Sequence, residues 1–217
     1  MRFYHHVGDL PQVLPVFPLT GALLLPRGVL PLNVFEPRYL ALVDASLSGS
    51  RLIGMIQPTV HEDKALKPPL SVVGCVGRIT SYQESDDGRY TVALTGICRF
   101  KIGQELDVDT PFRQVRADHA PFAGDLAESS IARDFPRERL AMALRAYLSQ
   151  RELKADWQSV MGAPAEGLVN ALAMLCPFEP AEKQALLEAQ ELNDRVDTLV
   201  ALLEMARIPS SGGRQLN

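Results

Sequence analysis

Long apolar runs are missing from this sequence of 217 residues. No stretch reaches the ~18 consecutive apolar residues that a membrane-spanning helix requires. The first ten residues, MRFYHHVGDL, also lack the apolar core of a signal peptide. We therefore expect no membrane partner and no export signal.

Cysteine is scarce, and its three positions, Cys75, Cys98 and Cys176, lie far apart in apolar surroundings. An odd number without close pairs argues against a disulfide framework, and the spacing does not suit a zinc site. Arg99 could lower the pKa of the neighbouring Cys98 thiol, but neighbours on a strand point to opposite faces. We interpret all three as small buried hydrophobic residues in a protein of the reducing cytoplasm.

A basic stripe is also absent, since the net charge is -4 and the pI is about 5.6. Proteins that bind nucleic acids usually concentrate Lys and Arg to neutralise phosphates. Arg133, Arg137 and Arg139 do cluster, but Asp134 and Glu138 offset their charge. The composition predicts no nucleic-acid partner.

Common catalytic motifs are missing as well. The sequence has no Gly-Lys dipeptide of a phosphate-binding loop, no Gly-x-Gly-x-x-Gly and no Gly-x-Ser-x-Gly. The histidines, which are His5, His6, His61 and His119, lack the short spacings of metal ligands. We therefore expect no catalytic residue, no cofactor and no metal site.

The first half of the chain has the patterns of β-strands. Apolar or alternating runs occur at 14–19, 20–35, 51–58, 70–84, 89–102 and 112–120. Ser85-Asp86-Asp87-Gly88 separates two of these runs and predicts a hairpin turn. One helix is predicted inside this region, beginning at Pro37, because proline suits the first helical position.

The second half changes to helical spacing. Four helices are predicted, marked by Leu140 to Leu148, Leu168 to Leu175, residues 179–189 and Leu192 to Leu203. We predict a strand region at 1–120, a helical region at 121–207 and a disordered tail at 208–217. The stripe Leu192, Val196, Leu199 and Leu203 could pack internally or against a second copy, so the oligomeric state stays open.

The segment Phe35-Glu36-Pro37-Arg38-Tyr39 lies between a predicted strand and a predicted helix. It could form a catalytic pocket, a ligand clamp or a structural junction. We favour the junction: Phe35 would plug the core, Glu36 would lie near the positive helix end, and Pro37 would fix the entry. Arg38 would pair with Glu36 or with carbonyl groups, while Tyr39 would bury its ring.

Several segments resemble one known family. LPVFPL (14–19), LPLNVFEPRYLALV (30–43), VGCVGRI (73–79), TVALTGICRFKI (91–102) and LCPFEPAEKQALLEAQELNDRVDTLVALLE (175–204) resemble the N-terminal substrate-binding domain of Lon proteases. The first and last segments are the most specific, and the resemblance covers about residues 12–205. The sequence is similar above all to stand-alone proteins that consist of this domain.

The resemblance implies an α+β fold, in which a PUA-like small β barrel, partly open and with one inserted helix, precedes a helical bundle. It implies a non-catalytic module that recognises unfolded or tagged polypeptides, since no segment resembles the ATPase or protease domain of Lon. The candidate peptide contacts are Leu24, Leu25 and Pro26 in a loop, although these apolar residues are equally compatible with the core.

Two other functions are compatible with a PUA-like barrel. The first is binding of structured RNA, against which the acidic balance speaks. The second is binding of a small ligand, for which related barrels use a cage of tryptophans. The single tryptophan, Trp157, lies in the helical half, which argues against such a cage.

Overall fold

Six strands and six helices make up most of the described chain. The computed structural model describes residues 4–59, 67–127 and 135–206. The strands are β1 (Val13–Pro18), β2 (Val29–Val34), β3 (Leu52–Ile56), β4 (Val73–Glu84), β5 (Tyr90–Leu106) and β6 (Arg113–Asp118). The helices are α1 (Pro37–Ser48), α2 (Arg137–Gln150), α3 (Trp157–Gly162), α4 (Ala165–Leu175), α5 (Pro180–Glu188) and α6 (Leu192–Met205).

The strands form one mixed sheet in the order β2-β5-β4-β3-β1-β6. β1 and β3 are parallel, and the other pairs are antiparallel. The long strand β5 pairs with β2 through its first half and with β6 through its second half. The pairings therefore run from β5 through β4, β3, β1 and β6 back to β5, while β2 stays at an edge.

The predicted hairpin joins β4 to β5. Gly88 has φ +77°, a conformation that glycine adopts without steric cost. Its N–H donates to the Ser85 carbonyl at 2.9 Å, which closes the turn. The local sequence therefore determines this connection, as the Asp-Gly pattern predicts.

Helices contact the sheet at more than one strand, with α1 against β1 and α5 against β4. Val196, Leu199 and Leu203 of α6 are fully buried, so this stripe packs inside the chain. Gln57 of the sheet region donates to the Pro180 carbonyl at 3.0 Å at the start of α5. α3 was not predicted, because it has only six residues and Asp156 is its main local signal. Among the helices that the structure describes, none is long and apolar enough to cross a membrane.

The boundaries predicted at 120/121 and 207/208 stay predictions. The described sheet ends with β6 at Asp118, and a short 3-10 segment, Ala120–Leu126, follows it. The tail at 208–217 lies outside the described residues, as do Arg133 and Asp134 of the arginine cluster.

Candidate functional site: a groove between β2 and α4

An apolar groove of about 500 Å³ lies between the start of β2 and α4. One wall is the continuous segment 26–31, and the other is formed by residues of α4 with Pro164 before it. Pockets of this size and character are typical of ligand-binding sites. The groove is therefore the leading candidate site among the residues that the structure describes.

The β2 wall is apolar and partly open to solvent. Val29 is 57% exposed, Pro31 is exposed and Leu30 is half-buried. β2 alternates because Leu32 and Val34 face the core, so the residues between them face outward. A partner that covered this wall would remove apolar surface from water.

The α4 wall carries more apolar residues than its core contacts require. Leu168, Val169 and Ala173 are buried, whereas Leu175 is 81% exposed and Ala171 is exposed. Leu175 was expected to mark the same helix face as Leu168, and this was wrong, because Leu168 is buried and Leu175 is not. The signal that could have identified the site is that apolar residues surround nearly the whole of α4.

Gly28 brings the two walls close together. A Cβ atom at this position would lie 2.5 Å from the Met174 sulfur, so the glycine makes room for the Met174 side chain. Met174 also lines the groove. Its flexible thioether allows the floor of the groove to adapt to different apolar side chains.

Among the described residues that line the groove, only Arg27 and Glu166 are charged. Arg27 forms an ion pair with Glu166 and donates to the Asp125 carbonyl at 2.8 Å. Arg27 has φ +64°, which is unusual for a residue other than glycine. The pair closes one end of the groove without leaving a net charge.

A buried polar chain supports the floor. Asn170 is 3% exposed, donates to the Pro26 carbonyl at 2.9 Å and accepts from Arg195 at 3.1 Å. Arg195 also donates to the Leu186 carbonyl at 3.0 Å. Burial lowers the pKa of Arg195 to about 10, so the guanidinium stays charged at neutral pH. These hydrogen bonds fix the position of α4 relative to the segment 26–31.

A second polar set, which we call the Arg99 cluster, joins β5 to the end of α5. Arg99 and Asp125 form a two-pronged pair with both contacts at 2.9 Å, and both side chains are at least nine-tenths buried. Arg99 also donates to the carbonyls of Leu187 and Gln190 at 3.0 Å. A cation beside the last carbonyls of a helix satisfies acceptors that have no partner within the helix.

The predicted peptide contacts have different positions in the structure. Leu24 is 2% exposed and Leu25 is fully buried, so a docked peptide cannot reach these side chains in this conformation. The loop approaches β5 because Gly96 has no Cβ, and one there would lie 2.1 Å from the Leu25 carbonyl oxygen. Pro26 lines the groove, so it stays a candidate peptide contact.

The segment 35–39 joins β2 to α1. Pro37 is the first residue of α1, and Glu36 precedes it without a side-chain cap. The Tyr39 ring stacks on Phe17 at 4.0 Å, and its hydroxyl donates to the Pro18 carbonyl at 3.1 Å. Burial raises the pKa of Tyr39, as expected for a ring held in the core.

The remaining two residues of this segment are more exposed. Arg38 pairs with Glu36 at 2.8 Å, and both side chains are 44% exposed. Phe35 was expected to plug the core, and this was wrong: it is 62% exposed, with the Arg89 guanidinium 6.0 Å from its ring centre. The alternation of β2 buries Val34 and therefore turns Phe35 outward.

The thiols and histidines give no catalytic arrangement in the described residues. Burial raises the pKa of Cys98 to about 12 and also raises those of Cys75 and Cys176, which disfavours thiolates. His119 is buried, with its ring nitrogens 3.4 and 3.3 Å from two carbonyl oxygens. No group of three metal-binding side chains occurs in the described ranges, while His61 lies outside them.

Known proteins resemble this chain over most of its length. The family model of the ATP-dependent protease La (LON) substrate-binding domain matches residues 13–205. The Lon protease of Anaeromyxobacter dehalogenans is 27% identical over 207 residues, which cover 92% of this chain and 24% of that protein. Lon protease 2 of Sorangium cellulosum is 28% identical over 210 residues, covering 89% and 25%. The chain thus spans about a quarter of the length of these curated relatives.

Two solved structures share the fold. A Lon N-terminal domain protein from Xanthomonas campestris has a TM-score of 0.62 at 22% identity, covering 87% of this chain and 97% of that one. The N-terminal domain of the Mycobacterium avium complex Lon protease has a TM-score of 0.63 at 20% identity, covering 88% and 98%. The matches confirm the resemblance seen in the sequence, and the chain belongs to the LON substrate-binding domain family.

Proposed function

We propose that the chain is a non-catalytic polypeptide-recognition module that binds exposed apolar segments of unfolded or tagged proteins in the groove between β2 and α4. The observation that carries this proposal is the pair of apolar walls, with Val29 and Leu175 exposed on opposite sides of one groove. Membership of the substrate-binding domain family supports the same class of ligand.

The architecture suits such a role. The pairing circuit from β5 through β6 and back to β5 supports a PUA-like small barrel, and α2 to α6 form a bundle beside it. The groove lies where the two parts meet, which is a common place for ligands. We propose this division as the basis of the site, with one part supplying each wall.

The groove also suits a small apolar ligand, which is the second candidate. Its volume of about 500 Å³ falls within the range of small-molecule sites. The single tryptophan, Trp157, has the Arg145 guanidinium 4.6 Å from its ring centre and does not line the groove. A thermal-shift screen of small apolar compounds against the polypeptide probe separates these two functions.

The first experiment measures binding of a fluorescein-labelled, permanently unfolded model protein by fluorescence anisotropy. Leu175→Glu places a charge on the apolar wall, so we expect Kd to rise at least about tenfold, since burying one leucine contributes about 1.5–3 kcal/mol. Leu175 is 81% exposed, so the melting temperature should stay the same.

Met142→Glu is the matched control, because Met142 is 63% exposed on α2 and does not line the groove. This variant should bind as the unmodified chain does. Equal affinities of the two variants, or no binding by the unmodified chain up to high micromolar concentration, would refute the proposed function.

A further inference from the structure

β2 has one unpaired edge beside the groove. It pairs with β5 alone among the strands that the structure describes, with Val29 opposite Thr95 and Val34 opposite Tyr90. All six residues from Pro26 to Pro31 line the groove. Only Val29, Leu30 and Pro31 among them belong to β2. Because side chains of consecutive strand residues point to opposite faces, a groove lined by all three lies at the edge of the first half of the strand.

The hydrogen-bond pattern shows which backbone groups face that edge. The Gly96 N–H donates to the Gly28 carbonyl at 2.8 Å, and the Gly96 carbonyl accepts from the Arg27 N–H at 2.8 Å, so the Gly28 carbonyl faces β5. Because hydrogen-bonded and non-bonded pairs alternate in an antiparallel ladder, Leu30 also faces β5. Val29, Pro31 and Asn33 therefore direct their backbone groups away from β5, towards the open edge.

The open edge offers donors and acceptors that no strand in the described residues uses. Val29 and Asn33 each present an N–H and a carbonyl, whereas Pro31 presents only a carbonyl. An extended chain beside β2 can satisfy these groups, as in recognition by strand addition. Resting on the function proposed above, we propose that the bound polypeptide adds to the open edge of β2 as a further β-strand.

Two features indicate which chain occupies the edge. A second copy is disfavoured, because pairing two β2 edges around Pro31 would lose both central N–H donors. Arg27 and Glu166 are the charged residues in the described part of the groove lining, and they neutralise each other. The occupant is therefore an extended, uncharged polypeptide segment whose apolar side chains enter the groove at alternate positions.

The groove reaches Val29 to Pro31, and the open edge of β2 continues beyond it to Val34, so a segment of about six residues can pair along the whole strand. In either strand direction, every second N–H of the bound segment faces β2 and the others face solvent. Blocking N–H groups one at a time should therefore give an alternating pattern of weak and normal binding. Contacts made through side chains alone would give no such alternation.

The experiment uses a capped, uncharged octapeptide in which Val and Ile alternate with Thr, binding to the full chain. A series of peptides, each N-methylated at one successive central residue, is compared by competition anisotropy. We expect at least tenfold weaker binding at every second position and less than threefold change between them. Leu175→Glu must weaken the unmethylated peptide, which locates it in the groove.

The outcomes separate the two proposals. If the unmethylated peptide binds and responds to Leu175→Glu, but N-methylation gives no two-residue pattern, strand addition is refuted and the groove function stands. If the peptide does not bind, or Leu175→Glu leaves its affinity unchanged, the function and the strand addition both fail.

Discussion

The Arg99 cluster and the β2–α4 groove join the same two parts of the molecule in opposite ways. In the cluster, Arg99 pairs with Asp125 and donates to the carbonyls of Leu187 in the last turn of α5 and of Gln190 after it. The Arg99 and Asp125 side chains are almost fully buried. In the groove, Val29 and Leu175 stay exposed without covering each other. Paired polar groups in the Arg99 cluster therefore hold the helices to the sheet, while the apolar groove stays open to a partner.

Breaking the cluster should have the largest effect on stability. Arg99→Met leaves the Asp125 carboxylate buried without its partner, so we expect a loss of about 3–5 kcal/mol in the free energy of unfolding. Urea denaturation monitored by circular dichroism measures it. The double variant Arg99→Met/Asp125→Leu should lose less than the single variant, since it leaves no unpaired charge. A single-variant loss below about 1 kcal/mol would contradict this account of the cluster.

Asn170 links the helices to the groove, so its removal should affect both stability and binding. Asn170→Ala leaves the Pro26 carbonyl and one Arg195 donor without partners, at a cost of about 1–3 kcal/mol. The peptide should bind more weakly because the β2 wall is no longer held. Gln158→Ala, at an exposed position on α3, is the control and should change neither quantity. Unchanged stability of Asn170→Ala would show that the polar chain does not support the floor.

The ion pair of Glu36 and Arg38 is the exposed counterpart of the buried Arg99–Asp125 pair, because its contact is short but open to solvent. Glu36→Ala or Arg38→Ala should each cost no more than about 1 kcal/mol, as is typical of surface pairs. Differential scanning calorimetry measures the shift, and peptide affinity should stay the same. A variant that keeps its melting temperature but loses binding would overturn the junction role.

Local signals predicted the parts of the fold that depend on neighbouring residues. Gly88 in an Asp-Gly turn predicted the β4–β5 hairpin, and Pro37 predicted the start of α1. α3 was missed because its main signal is the single cap Asp156, which accepts from the N–H groups of Gln158 and Ser159. One capping residue does not by itself distinguish a six-residue helix from a turn.

The groove could not be predicted, because its walls are far apart in sequence. Pro26 and Asn170 are joined by a hydrogen bond across more than 140 residues of chain. Leu24 and Leu25 have the composition of an exposed apolar loop, yet Gly96 allows the loop to approach β5 and bury them. Such contacts depend on tertiary packing, which sequence periodicity does not contain.

Photo-crosslinking locates the bound peptide on the chain. A photoreactive phenylalanine analogue at the centre of the bound octapeptide is activated, and the crosslinked residues of the full chain are located by mass spectrometry. We predict crosslinks within residues 26–31 and 164–175. These crosslinks should be lost in Leu175→Glu and kept in Met142→Glu. Crosslinks that lie outside both segments and persist in Leu175→Glu would contradict binding in the groove.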